Sequence, residues 1–455
     1  MSNIGYDPKK MGISNLRGFF RSILPVFSDG EPTEIQTDAN GRLIEVLGPG
    51  DETVGRIKLV DNNGGMAQLD AFNRIEMAEP FTLGDYIFKY GLQPLLFDKK
   101  EVGSGTVTHL PQESSVRLRV TTASGDVAQM TSRRYHRYQA GKAGEITLTG
   151  VIGDGKENVK KQWGYFDDNN GLFFQLDGTE FSVVQRSSTS GSVVDEKVAQ
   201  ASFNGGSIAS LDFNKGNIFK ISFQWLGVGE THFRVYSPSG ALVAVHTFHN
   251  VNAKTAVYMS TANLPIRYRI ENTGTSASQT DMKQICSSVV SSGGEEPPEN
   301  EFAQGNSSVI ATADANELHL ISFRLASTFN SIENRALLIP KSFSFTSDKG
   351  SCIFRVRLNG TVTGGTWVAV DTNSVAEYNR TATSFTPGML IQKRSFLASG
   401  PATSTNSFQS QAGVRKLVLS RSADNASSDI ITITVQRLTT TNVDALAEME
   451  WGEAL

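Results

Sequence analysis

The chain has 455 residues, 42 basic and 46 acidic for a formal net charge of -4, and 39% of it is hydrophobic. That length predicts two or three domains with cores of their own and excludes a disulfide-held miniprotein or wholesale disorder. Without a basic excess, no wrapping of nucleic acid and no coating of an anionic membrane is expected. The two cysteines, Cys286 and Cys352, stand in no ligand spacing, and no apolar run reaches the roughly 18 residues of a membrane span.

Near the start, Ile13, Leu16, Phe20, Ile23 and Phe27 recur at steps of three and four, with Arg17 and Arg21 off that stripe. This predicts a short amphipathic helix stopped near Pro25, marginal alone because Gly12 and Gly18 interrupt it. Residues 1–65 are otherwise rich in glycine between short apolar pairs. They read as an attachment segment whose stripe is an assembly interface.

From about residue 115 the apolar period becomes two, the pattern of half-buried antiparallel strands. Val116, Leu118 and Val120 alternate with Arg117 and Arg119; Phe219, Ile221, Phe223 and Trp225 alternate with Lys220, Ser222 and Gln224; Ile266, Tyr268 and Ile270 alternate with Arg267 and Arg269. The turn signals Asp167–Gly171 and Ser237–Gly240 predict hairpins. The fold class is therefore mainly β: a jelly-roll or concanavalin-like antiparallel sandwich over 66–290. An acidic Pro/Gly linker, 291–301, holds four Glu, two Pro and no hydrophobic side chain before Glu301. Alternation resumes in Leu318–Leu325, Ile353–Leu358, Thr366–Val370, Arg415–Ser420 and Ile430–Leu438, predicting a second, smaller sandwich over 302–455.

Motifs that carry chemistry are sparse. His246 and His249 are three apart, which on a strand puts them on opposite faces. Asp167, Asn169 and Gly171 miss the calcium-loop order and read as a tight turn. Glycosidases need two carboxylates about 5 to 9.5 Å apart. Asp195 and Glu196 are adjacent, hence on opposite faces, and Asp177 and Glu180 flank a glycine turn. Nucleophile elbows, P-loops and dinucleotide fingerprints are absent. The expectation is no catalytic residue, no metal and no cofactor. The densest basic-aromatic cluster, Arg133, Arg134, Tyr135, Arg137 and Tyr138, fits a subunit interface, a glycan or single-stranded nucleic acid, and is taken as a partner or glycan contact.

Several stretches resemble a known family. Gln68–Arg74 (QLDAFNR), Glu79–Leu83 (EPFTL), Tyr135–Lys142 (YHRYQAGK), Gly164–Phe174 (GYFDDNNGLFF), Gln224–Gly229 (QWLGVG), Val257–Ser260 (VYMS), Asn263–Tyr268 (NLPIRY) and Ile285–Ser288 (ICSS) are similar, in this order, to virion structural proteins of tailed phages. Tyr90–Leu95 and Thr231–Phe233 depart from that pattern, which bears on the choice of partner. The resemblance covers about residues 66–294 and implies a concanavalin-like sandwich and a fibre, spike or decoration component of a virion assembled in the host cytoplasm. Its implied partners are other virion proteins (capsid, portal or tail), further copies of itself, most simply as a trimer, and a host-surface glycan. A polysaccharide depolymerase on the same sandwich and a baseplate or tail-hub component are the alternatives.

Overall fold

The computed structural model describes residues 79–455 apart from 209–210, 295–299, 307–308, 312–315, 348–350, 397–401, 408–416 and 440–441. The stripe Ile13, Leu16, Phe20, Ile23 and Phe27, the motif Gln68–Arg74 and the middle of the acidic linker lie outside the described residues. Among these residues there is no α-helix, and every strand pairing is antiparallel.

The first sandwich contains β1 (Pro80–Ile87), β2 (Phe97–Val102), β3 (Thr106–Leu110), β4 (Ser115–Val120), β5 (Val127–Ser132), β6 (Gly144–Val151), β7 (Val159–Phe166) and β8 (Gly171–Asp177). It continues with β9 (Glu180–Ser187), β10 (Val194–Ala199), β11 (Asn217–Phe223), β12 (Thr231–Tyr236), β13 (Leu242–Phe248), β14 (Ile266–Asn272) and β15 (Thr280–Ser292). One sheet has the order β13-β12-β11-β6-β15-β4-β3, with β1 also on β15; the other is β10-β9-β8-β7-β14-β5-β2. Ser291 and Ser292 close β15 opposite Phe81 and Pro80.

Alternation explains how the two sheets meet. Val116, Leu118, Val120, Phe219, Ile221, Ile266, Tyr268 and Ile270 are all fully buried. Trp163 on β7 and Phe219 on β11 touch across the sandwich with ring centroids 5.0 Å apart, as do Phe174 and Phe233 at 5.1 Å. The predicted hairpins form: Asp167 Oδ1 accepts from the backbone N–H of Asn169 (2.8 Å) and Asn170 (2.7 Å), closing the β7–β8 turn.

The second sandwich is built round Val443–Ala454, which pairs with Leu337–Ser347 on one side and with Asn300–Gly305 and Val309–Ala311 on the other. Its second sheet has Ala376–Asn379, Leu318–Leu325, Ile430–Arg437 and Cys352–Leu358 side by side. Phe323 against Trp451 (5.4 Å) and Phe345 against Phe354 (5.0 Å) join the two layers. Of the expected strands, Thr366–Val370 shortens to Val368–Ala369, and of Arg415–Ser420 the described residues 417–420 contain one bridge, Leu419 to Leu338.

A polar clasp joins the two sandwiches. Arg133, just past the end of β5, donates through Nη1 to Asp98 on β2 (3.0 Å) and through Nη2 to Asp429 of the second sandwich (3.0 Å). The other Asp98 oxygen accepts from the Ala423 backbone N–H at 2.7 Å. Beside it, the Arg335 guanidinium lies 4.2 Å from the centre of the Tyr135 ring and donates to the carbonyls of Ser422 (2.7 Å) and Ala423 (3.0 Å).

Candidate functional site

The segment 133–138 is not a strand: β5 ends at Ser132, and a single bridge, His136 to Leu264, interrupts an irregular extended path. Its side chains are dispersed. Arg133 and buried Tyr135 belong to the clasp between sandwiches, so the Tyr135 ring has no open face on which a sugar could stack. Arg134 Nη1 donates to the Leu83 carbonyl at 2.8 Å. Tyr138 packs edge-on to Trp225 and accepts from the Leu226 N–H at 3.3 Å. Arg137 and Tyr138 line a cavity of about 10 Å³, roughly the room of one water.

A larger feature is the outward face of the seven-stranded sheet, which bears a trough of about 400 Å³. Strand register makes it. Directly opposed residues of antiparallel strands share a face, so the pairings place Lys100, Gln129, Arg269, Gln162, Gln175 and Ser182 in one row across the sheet. The next row is Asp98, Thr131, Arg267, Gly164, Phe173, Val184 and Lys197. Gly164 has no space for a side chain: a Cβ would stand 2.5 Å from the Leu172 carbonyl oxygen and 2.6 Å from the Phe173 Cα.

The floor of the trough is mixed. Phe166, Phe173 and Val184 form a small buried apolar island, the two rings 4.4 Å apart. Two guanidiniums cover it, Arg186 5.1 Å from the Phe173 centroid and Arg267 5.3 Å from that of Phe166. Next to them Gln162 Nε2 donates to Gln175 Oε1 (2.8 Å), both amides buried. Planar amides and guanidiniums at fixed spacing supply paired donors and acceptors, which suits a ligand that presents many hydroxyl groups.

Each carboxylate in the trough has a cation. Asp195 takes both Nε (2.7 Å) and Nη2 (2.9 Å) of Arg186; Asp168 takes Nη1 of Arg267 (2.5 Å); Glu271 accepts from Arg269 Nη2. Close packing would raise the Asp168 carboxyl, but the charge and hydrogen bond of Arg267, with Arg269 and Lys100 behind them, hold it below the ordinary Asp value. Lys160 Nζ stands between Asp177 (3.9 Å) and Glu271 (3.8 Å). Those two carboxylates come from strands distant in sequence, β8 and β14, each directly opposite Lys160 of β7.

The remaining motifs are structural. The His246 ring is buried edge-on to Phe248 (4.7 Å), whereas exposed His249 pairs with Glu230 at 2.7 Å. Glu180 pairs with Lys197, and Glu196 with Lys254. Among the described residues no group of three His, Cys, Asp or Glu side chains could hold a metal ion, and no helix is long and apolar enough to cross a membrane.

Gln129, Gln162, Gln175, Arg267 and Arg269 were missed as a group by sequence reading. A signal was present: these strands carry aromatic and aliphatic side chains on one face, and on the other they carry amides and guanidiniums where short hydroxyls or lysines would suffice for solubility. What could not be read was which strands lie side by side.

No family model matches the chain, and no curated protein matches it. Solved structures similar to it include a protein of unknown function from Shewanella oneidensis MR-1, 9% identical, covering 49% of this chain and 91% of that one at a TM-score of 0.33. The CBM2 module of the evolved Dit of Lactobacillus casei BL23 phage J-1 is 8% identical over 48% of this chain and 97% of that one (TM-score 0.32). A legume lectin-like domain from Entamoeba histolytica is 12% identical over 45% and 95% (TM-score 0.28). All three TM-scores lie below 0.5.

Proposed function

We propose that this chain is a structural component of a tailed-phage virion, a fibre, spike or decoration protein that attaches through residues 1–65 and binds a host-surface glycan on the outward face of its first sandwich. The sequence resemblance over 66–294 supports the virion assignment. The observation that carries the recognition role is the trough itself: about 400 Å³ lined by amides and guanidiniums, of which Gln162, Gln175 and Arg267 are buried. Burial of an unpaired polar atom is costly, and Arg267 Nε and Ser182 Oγ in these rows have no partner, as expected where a ligand completes the hydrogen bonding. The clasp at Arg133 adds a fixed orientation for the second sandwich, which suits a projecting part.

Two measurements test this. Mass spectrometry of purified particles is expected to find the chain at a constant copy number; its absence would remove the virion assignment. The purified full-length chain is expected to compete with particles for host cells, and the double change Gln162→Leu with Gln175→Leu to abolish competition. Exchanging both partners of one hydrogen bond for apolar groups of similar shape costs little stability, so a folded variant that still competes would place recognition elsewhere.

A depolymerase is the second reading, and the carboxylates Asp177 and Glu271 in the trough are the observation that favours testing it. Lys160 Nζ lies within 4 Å of each, occupying the space between them, and binding without hydrolysis is expected. Release of reducing ends from host polysaccharide by the wild type, lost in Glu271→Gln, would establish the enzyme instead.

A further inference from the structure

Arg267 holds its acid differently from three arginines that use two nitrogens each. Arg186 grips Asp195, Arg119 grips Asp281 and Arg357 grips Glu317 with two nitrogens each. Arg267, whose side chain is only 3% exposed, reaches its acid through Nη1 alone, and its buried Nε has no partner. A guanidinium taken out of water is stabilised by a two-oxygen acceptor along one edge. Here that edge is unused.

The acid that Arg267 does hold is the exposed partner of the pair. Asp168 lies in the β7–β8 turn with 77% of its side chain exposed, so it can turn out to water provided another anion takes its place on the buried Arg267. On the sheet, the residue opposite Arg267 is Gly164, which leaves no side chain between Arg267 and Phe173. The trough is lined by five cations, Lys160, Arg186, Lys197, Arg267 and Arg269, against four acids, Asp168, Asp177, Asp195 and Glu271. Lys197 is paired with Glu180 just beyond the lining, so the charges of the trough balance and Arg267 stands out by its geometry alone.

We infer that the trough takes a sugar that carries a carboxylate, of the uronic-acid class, with Arg267 as the residue that reads the acid and Asp168 as its internal competitor. The inference rests on the glycan-binding reading above and narrows it. The ligand carboxylate lies along the free Arg267 edge, Asp168 swings out to solvent, and the Gln162–Gln175 pair faces the ring hydroxyls. Because Asp168 must be displaced, its removal strengthens binding.

The test uses the full-length chain and oligomers of galacturonate, glucuronate and mannuronate, each beside its carboxyl-reduced counterpart, by calorimetry at low and high salt. At least one uronate is expected to bind better than its reduced form, with salt weakening the difference. Arg267→Gln should cost that uronate about tenfold or more in affinity, one charged hydrogen bond being roughly 1.5–3 kcal/mol. Asp168→Asn, a change in an exposed turn that threatens no core, should tighten it about threefold to tenfold and leave reduced oligomers unaffected. Equal binding of a uronate and its reduced form, or no gain from Asp168→Asn, overturns the inference while leaving glycan binding in place. If none of the six oligomers binds, the inference fails, and the competition experiment above then decides the broader reading.

Discussion

Changing Arg133 to alanine is expected to cost about 3–5 kcal/mol and to split one calorimetric unfolding transition of the two sandwiches into two. The magnitude follows from what stays behind. Asp98 and Asp429 both point at the guanidinium, their side chains 29% and 10% exposed, and without it two covered carboxylates face each other with no cation. Deleting one member of a buried, hydrogen-bonded ion set is penalised far more than the set itself stabilises. The clasp spans residues separated by 296 positions, so its loss acts on coupling between sandwiches and not on either core. Arg133→Lys, which keeps the charge but can no longer fork to both acids, should fall between the two. A variant that unfolds in one transition at the wild-type temperature would show that the clasp holds nothing together.

The second large effect is expected in acid. His136 is enclosed between the sheets of the first sandwich, 1% exposed. Its Nδ1 donates to the Leu264 carbonyl (3.1 Å), which leaves Nε2 to accept from the Tyr86 hydroxyl (2.8 Å). Burial is the main cause that brings its pKa down to about 3; the nearby Arg134 charge acts in the same direction, and the bond to Leu264 opposes them. The unfolded chain takes up this proton near pH 6.5 and the folded chain only near 3. The group therefore contributes stability that is fully present above pH 6.5 and is lost as pH falls through 3, a loss of about 4 kcal/mol by then. His136→Gln keeps one donor and one acceptor but does not titrate. Urea midpoints measured from pH 7 to 3 should fall more steeply for the wild type than for this variant. Parallel curves would show that His136 carries no acid sensitivity.

Much of the architecture is legible in the residues. Strict alternation in Val116–Val120, Phe219–Phe223 and Ile266–Ile270, with turn chemistry at Asp167–Gly171, marks strands and hairpins because a pleated chain can bury only every second side chain. The strand Val443–Ala454 shows the limit. Its run of Ala and Glu has helical propensity, and only Val443, Ala445, Ala447, Met449 and Trp451 at every second place mark it as a strand. Pairing with Leu337–Ser347 decides the matter, since tertiary partners outweigh intrinsic preference.

The trough could not be read this way. Alternation says that Arg267, Arg269, Gln162 and Gln175 point away from the core, which is a property of each strand taken singly. Whether they form one surface depends on β14 lying next to β7 rather than another strand, a choice set by contacts between residues about a hundred positions apart. Likewise the cluster Arg133–Tyr138 looks like one patch along the chain, yet the path after β5 sends Arg133 and Tyr135 to the clasp and Tyr138 to Trp225. The sequence by itself determined the β class, the strand faces and the turns, because these follow from steric and solvation preferences local to a few residues. Tertiary structure alone decided which outward-facing groups became neighbours, since strand order is chosen by the packing of the whole core.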